Sequence, residues 1–301
     1  MTTSKKSPFA PDLLAGRRIL ITGGGTGLGR GVARHLVDHG ASVHLWGRRQ
    51  AVLEEAAAEA SESRPGSVHV QTVDVRDGDG VDAAMGALWD QHGPLTSVIN
   101  NAAANFIAPT ESLSPRAFDA VSSTVMKGSF HTTNAAGRRW IAAGLPGAVL
   151  STLTTWVWTG SAFVTPSAMA KAAVHSMTMS LAVEWARHGI RLNALAPGPI
   201  PTDYAWEMLN PTEKSSVGAT QIDQIPMGRT GTVEELAHLT IFLLSDACDY
   251  LTGQTIAMDG GQMLAGPGTF AGLTAMSAED WAVAKEKSKA ASAASKAQRK
   301  P

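Results

Sequence analysis

The chain has 301 residues, a formal net charge of −1, 44% hydrophobic residues and 17% charged residues. That length suits one large α/β domain or two small ones, and the hydrophobic share is enough to bury a sizeable core. Near-neutral charge leaves no global basic field for nucleic acid or a membrane surface, and no apolar run reaches the ~18 residues of a membrane span.

Cys248 is the only cysteine, so no internal disulfide forms, which fits a reducing compartment. The N-terminal lysines precede no long apolar segment, and the C-terminal Arg299-Lys300-Pro301 is unlike a peroxisomal address. The expected compartment is the cytoplasm. No zinc-type spacing links the histidines, so no metal site is expected. His35 and His39, four apart on the first helix, read as two partly exposed surface histidines.

Strand-like apolar runs at 18–22, 42–46, 68–73, 97–99, 148–151, 191–196 and 255–258 alternate with helical patterns. The helices start near Gly27, Gln50, Asp77, Pro115, Ser167 and Val233. Such βαβ alternation predicts a Rossmann-type, doubly wound parallel sheet of about seven strands flanked by helices. Ligands in these sheets bind at the carboxyl ends of the strands.

The first strand runs into Thr22-Gly-Gly-Gly-Thr-Gly-Leu-Gly29 and then an apolar helical pattern at Val32, Ala33, Leu36 and Val37. Here Gly23, Gly24, Gly25, Thr26, Gly27, Leu28 and Gly29 form the candidate dinucleotide loop. Glycine at 23, 27 and 29 removes Cβ atoms that would hold a diphosphate off the backbone, and the helix dipole favours the anion.

The second strand is followed by Arg48 and Arg49 where an acid would favour NAD, and their planar, charged donors suit the 2′-phosphate of NADP(H). The third is followed by Asp74, Val75 and Arg76. A carboxylate there can accept the adenine amino group, and Arg76 can meet a second phosphate-bearing ligand. The fourth is followed by Asn101 and Ala102, small or polar groups that let backbone pass close to a cofactor. After the fifth come Thr154 and Trp156, then Ser167 and Lys171, a lysine placed to hold ribose hydroxyls and to put a positive charge beside a nicotinamide. After the sixth, Pro197, Gly198, Pro199 and Ile200 make a rigid turn whose backbone can hold a carboxamide.

Two segments break the alternation. Residues 199–226 form a long insertion with Tyr204, Trp206 and Met208, expected as a substrate lid. From about 266 the chain is a C-terminal extension, rich in Ala, Lys and Ser towards its end. It is expected to hold a helix from near Trp281 that frays into a partly disordered basic tail. The reductase domain is therefore expected to span 13–265.

These residues together resemble the short-chain dehydrogenase/reductase superfamily: Thr-Gly-x-x-x-Gly-x-Gly at 22–29, Asn-Asn-Ala at 100–102, Lys171, Pro-Gly at 197–198 and Asp-Gly-Gly at 259–261. The wording is most similar to the 2,4-dienoyl-CoA reductase branch in Asn100-Asn-Ala-Ala-Ala-Asn-Phe106, Ser161-Ala-Phe-Val-Thr-Pro-Ser-Ala-Met-Ala-Lys171 and Gly228-Arg-Thr-Gly-Thr-Val-Glu-Glu-Leu236. The resemblance implies NADPH, a fatty acyl-CoA substrate contacted by Arg76, and a homotetramer, with Phe106 and Tyr204 as further substrate-side candidates.

The departures define the question. The superfamily's tyrosine four residues before the lysine is Ser167, a feature of this branch, and its serine corresponds to Thr154. The branch's mitochondrial-type tyrosine falls on Trp156 and its asparagine on Lys127, while the peroxisomal-type aspartate falls on Val125. Trp156 has an N–H for an oxyanion but no proton to give at neutral pH; Lys127 serves only if it points inward. Three readings stay open: reduction of a 2,4-dienoyl-CoA, reduction of a 2-enoyl-CoA or another substrate of this superfamily, and a non-catalytic NADPH-binding protein.

Overall fold

The computed structural model describes residues 7–202, 221–265, 273 and 276–297. The first half alternates β1 (Arg18–Thr22), α1 (Gly27–Asp38), β2 (Ser42–Gly47), α2 (Gln50–Ala60), β3 (Val68–Thr72), α3 (Gly78–His92) and β4 (Ser97–Asn100). The second half holds α4 (Pro115–Ser122), a π-helical turn (Ser123–Lys127), α5 (Gly128–Ala143), β5 (Gly147–Thr152), α6 (Trp156–Thr159) and α7 (Thr165–Trp185). It closes with β6 (Ile190–Pro197), α8 (Val233–Leu244), β7 (Thr255–Met258), α9 (Gln262–Ala265) and α10 (Ala278–Ala297).

The strands form one seven-stranded sheet in the order β3-β2-β1-β4-β5-β6-β7, and every neighbouring pair is parallel. The order reverses between β1 and β4, which opens a crevice at their carboxyl ends. Alternation along β1 explains why both sheet faces are covered. Ile19 and Ile21 pack with Leu36, Val37, Leu236 and Ile241, whereas Leu20 packs with Met85, Leu88 and Trp140 on the other face. Each such fully buried side chain contributes ~1.5–3 kcal/mol.

Helix starts follow local chemistry. Asp77 accepts from the Gly80 N–H to cap α3, Ser114 accepts from the Ala117 N–H to cap α4, and Thr232 with Glu235 closes a capping box on α8. The helix carrying Lys171 begins at Thr165, two residues before the expected start, because Pro166 sits in its first turn, where a missing N–H costs nothing.

Two expectations are corrected. His39 is buried: it follows α1 rather than lying on it, and its ring meets the Ser7 hydroxyl at 2.8 Å and the His35 carbonyl at 2.7 Å. The C-terminal helix (Ala278–Ala297) starts three residues before the expected Trp281, because Ser277 and Asp280 cap it. Most of the expected lid, 203–220 with Tyr204, Trp206 and Met208, lies outside the described residues. Among the described residues, no helix is long and apolar enough to cross a membrane.

Candidate active site

The glycines of the β1–α1 loop divide the work. A Cβ on Gly23 would lie 2.9 Å from the Ala102 Cα, and one on Gly29 would lie 2.6 Å from Asn101 Nδ2 and 2.7 Å from the Gly23 carbonyl oxygen. A Cβ on Gly24 would lie 2.7 Å from Leu45 Cδ2, and one on Gly25 would lie 3.2 Å from Val52 Cγ1. Only Gly27, with φ 55°, faces open space, where the nearest atom is the Thr202 hydroxyl at 3.7 Å. The expectation that 23, 27 and 29 share one role is therefore corrected: Gly23 and Gly29 let the loop pack on the end of β4, and Gly27 alone has room beside it.

Asn101 and Thr22 fix that packing. Asn101 Nδ2 donates to the carbonyls of Thr22 (3.1 Å) and Gly23 (3.2 Å). The Thr22 hydroxyl accepts from the N–H groups of Asn101 (3.0 Å) and Ala102 (3.1 Å). Asn101 thus positions the glycine loop. Behind it, α1 starts with Thr26 as N-cap residue and no side-chain cap, so its first-turn N–H groups have no intrahelical acceptor. An open Gly27, an uncapped helix start and a positive dipole end form a cradle that fits the diphosphate of a nicotinamide cofactor.

On the rim beyond β2, Arg48 is exposed and Arg49 is the N-cap residue of α2. The two residues expected to serve separate ligands, Asp74 and Arg76, are paired to each other. Arg76 Nε donates to both carboxylate oxygens, at 2.9 and 3.0 Å. That hydrogen-bonded guanidinium, with a smaller contribution from the charge of Arg48, holds the Asp74 carboxyl below its usual range. Val75 between them is buried, and its carbonyl meets the His131 ring at 3.0 Å.

Lys171 lies beside the carboxyl end of β5. It is buried, its Nζ donates to the Thr152 carbonyl at the end of β5, and burial pushes its pKa down to about 8. Ser167, one turn earlier on α7, is buried too. The hydroxyls of Thr154, Ser161 and Thr202 and the Asn105 carbonyl oxygen are buried without a hydrogen-bond partner. Each such group costs ~1–3 kcal/mol if nothing bonds it, so each needs a water or a polar ligand as partner.

Thr202 was not singled out by the sequence; its position directly after the Pro197–Ile200 turn and Pro201 is the signal that finds it. Beside that turn, Asp259 organises its own segment, accepting from the N–H groups of Gly261 (2.9 Å) and Met263 (2.7 Å). A Cβ on Gly198 would lie 2.7 Å from the Asp259 Cα, so the Asp-Gly-Gly motif packs against Pro-Gly. Gly198 N–H donates to the Met258 carbonyl at 3.0 Å, and Ile200 is buried.

The family's proton-donor positions look different. Lys127 closes the π-helical turn and is exposed; Val125 is buried. Trp156 opens α6 and packs in an apolar cluster with Ile107, Phe163, Val164, Leu273, Met276 and Trp281. Phe106 packs with Val121, Val125 and Leu153. Among the described residues no group of three or more His, Cys, Asp or Glu side chains is arranged to hold a metal ion.

A family model described as enoyl-(acyl carrier protein) reductase matches residues 23–263. A probable 2,4-dienoyl-CoA reductase of Bacillus subtilis, named as (2E)-enoyl-CoA-producing, is 41% identical over 249 residues, which is 82% of this chain and 97% of that protein. A probable 2,4-dienoyl-CoA reductase of Caenorhabditis elegans, named as (3E)-enoyl-CoA-producing, is 38% identical over 258 residues, 85% of this chain and 84% of that protein. Among solved structures, a short chain dehydrogenase from Bacillus anthracis superposes with TM-score 0.74 at 39% identity, covering 82% of this chain and 96% of that one. A gluconate 5-dehydrogenase from Burkholderia cenocepacia in complex with NADP and tartrate superposes with TM-score 0.77 at 31% identity, covering 85% of this chain and 99% of that one. With its Rossmann sheet, nicotinamide cradle and buried lysine, the chain belongs to the short-chain dehydrogenase/reductase superfamily of oxidoreductases, in its 2,4-dienoyl-CoA reductase-like branch.

Proposed function

We propose that the protein binds NADPH and reduces a conjugated enoyl thioester, converting a 2,4-dienoyl-CoA to a 3-enoyl-CoA. The observation that carries this reading is the buried pair Ser167 and Lys171. Where an alcohol–ketone enzyme of this superfamily needs an ionisable phenol four residues before the lysine, this site has a serine, a poor acid/base for carbonyl–alcohol interconversion. A conjugated double bond needs only a hydride and a stabilised enolate.

NADPH supplies the hydride when bound. Addition at C5 of the acyl chain moves electron pairs through the diene onto the thioester oxygen, and a proton taken up at C2 gives the 3-enoyl product. Arg48 and Arg49 would hold the 2′-phosphate, residues 23–29 the diphosphate, and Pro197–Ile200 the carboxamide. Lys171, protonated below about pH 8, holds the ribose and places a positive charge beside the reacting ring. The Thr154 and Ser167 hydroxyls and the Trp156 indole N–H are the donors for the developing oxyanion; such preorganised donors are often the largest catalytic effect. Arg76, Phe106 and Tyr204 serve the acyl-CoA. Water is proposed to deliver the proton, since Val125 is apolar and the Trp156 indole has none to give at neutral pH.

Those two positions also favour a second reading, a non-catalytic NADPH-binding protein. Trp156→Tyr separates the two. Faster dienoyl-CoA reduction supports a reductase with a weakened donor set, and no turnover in either form supports the second reading. Product analysis fixes the proton's destination: uptake at C2 leaves a 3-enoyl chain, uptake at C4 a 2-enoyl chain.

The protein is further proposed to be a cytoplasmic homotetramer. Phe130 on α5 (52% exposed) and Met169 (54%) and Val183 (83%) on α7 present apolar surface to solvent, more than an isolated chain gains from exposing. Val183→Glu is expected to lower the mass measured by light scattering; an unchanged mass removes this face as an interface.

A further inference from the structure

We infer that Trp281, at the start of the C-terminal helix, shapes the substrate site through Phe163 and so sets which acyl chain lengths the site accepts. This rests on the acyl-thioester reading above. Trp281, in the first turn of α10, packs its ring on Phe163, with centroids 4.5 Å apart and planes at 45°. Among the described residues Phe163 is the only non-glycine with positive φ, at 65°. A bulky side chain in that region is unfavourable and persists only where its surroundings hold it.

Two contacts hold it. One is the Trp281 ring. The other is a hydrogen bond in which the Ala108 N–H donates to the Phe163 carbonyl at 3.0 Å. Close by, the hydroxyls of Thr110 and Thr165 meet at 2.8 Å. One strained residue therefore ties together the segment after β4, the segment after β5 and the C-terminal helix. The segments after β4 and β5 lie on the side of the sheet where ligands bind.

The contacts around it are apolar and local. Val164 (0% exposed) and Leu273 (2%) form the buried centre, and Ile107, Trp156, Met276 and Trp281 pack on it. Leu273, Met276 and Trp281 belong to neither of the two clusters that flank the sheet. Their burial builds this rim, in the same cluster as Trp156. Ser277 fixes how α10 enters: its hydroxyl accepts from the Asp280 N–H at 3.2 Å, and its own N–H donates to Asp280 Oδ2 at 3.0 Å. Trp281 follows at once, so its ring leaves the helix in a set direction. It acts on the pocket through Phe163 and is a positioning residue.

The test compares kcat/KM for 2,4-decadienoyl-CoA and 2,4-hexadienoyl-CoA in the full-length protein and in Trp281→Ala. One methylene in an apolar pocket is worth about 10–200-fold, so the variant is expected to raise the long-to-short ratio by at least about tenfold. Its affinity for NADPH is expected to stay within about twofold, since Trp281 lies outside the cradle. Hydrogen exchange at the Ala108 amide is expected to quicken as Phe163 is released. Wild-type turnover with an unchanged ratio in the variant overturns the role of Trp281 alone. Unchanged exchange at Ala108 overturns the route through Phe163. A wild-type protein inert toward both thioesters overturns the acyl-thioester reading and the chain-length role with it. If Trp281→Ala does not fold, Trp281→Leu keeps an apolar filler of smaller volume and is held to the same ratio.

Discussion

Lys171 reaches from the first turns of α7 to donate its Nζ to the Thr152 carbonyl at the end of β5. The contact joins a buried cation to the strand end beside the crevice, and burial lowers its pKa from 10.5 to about 8. The folded state therefore disfavours the charge. Below pH 8 this costs roughly 3 kcal/mol, a penalty that fades as pH rises from 8 towards 10.5. Lys171→Met is expected to raise Tm at pH 7, to raise it less at pH 10, and to abolish turnover. In the wild type, kcat/KM for NADPH is expected to fall above about pH 8 as the cation is lost. Turnover that survives in the variant contradicts the role given to Lys171.

The proposed preference for NADPH rests on Arg48 and Arg49. Charge-assisted hydrogen bonds to a 2′-phosphate are worth ~1.5–3 kcal/mol. The double variant Arg48→Ala and Arg49→Ala is expected to weaken NADPH binding by about 10–100-fold and leave NADH binding nearly unchanged, read by fluorescence titration. Equal losses for both cofactors place the arginines elsewhere than on the phosphate.

The two kinds of loop glycine predict different failures. Gly29→Ala forces a Cβ against Asn101 and the Gly23 carbonyl, so it is expected to lower stability by ~1–3 kcal/mol. Gly27→Ala meets no atom closer than 3.7 Å but must adopt a positive φ, at ~1–2 kcal/mol, and adds a methyl to the cradle. It is expected to weaken NADPH binding more than it lowers Tm. Measuring both quantities for both variants separates them, and an inverted pattern refutes the division of roles.

A histidine cluster far from the crevice predicts acid sensitivity. The His44 ring stacks on His69 at 5.0 Å and lies 4.9 Å from His92. Burial, then the charges of His69, His92 and Arg18, push the His44 pKa down from 6.5 to about 3. The folded protein binds fewer protons than the unfolded chain between these values. Stability from this group is full above pH 6.5 and is lost as pH falls towards 3, by roughly 2 kcal/mol at pH 5. His44→Phe is expected to shrink the stability difference between pH 7 and pH 5, measured by urea unfolding. An unchanged difference shows that His44 does not carry it.

The sheet was readable because buried parallel strands are short apolar runs and helices repeat every three or four residues. The β1–α1 junction announced itself for the same reason. What escaped was mostly long-range. Asn101 reads as a cofactor contact until its amide is seen on a carbonyl 78 positions away. Thr202 opposite Gly27 and Trp281 on Phe163 are likewise pairs that only folding brings together. The π-helical turn at Lys127 escaped because its apolar spacing matches an ordinary helix, and it leaves that side chain on the surface. The Asp74–Arg76 pair was short-range, but assigning each residue to its own ligand hid the partner two positions away.

The central claim is hydride transfer to a conjugated thioester. Its most direct test mixes the protein with NADPH and 2,4-hexadienoyl-CoA, with crotonyl-CoA in parallel, and follows nicotinamide absorbance. The account predicts fast oxidation with the dienoyl thioester and little with crotonyl-CoA. Tight NADPH binding with no oxidation by the dienoyl thioester would contradict it.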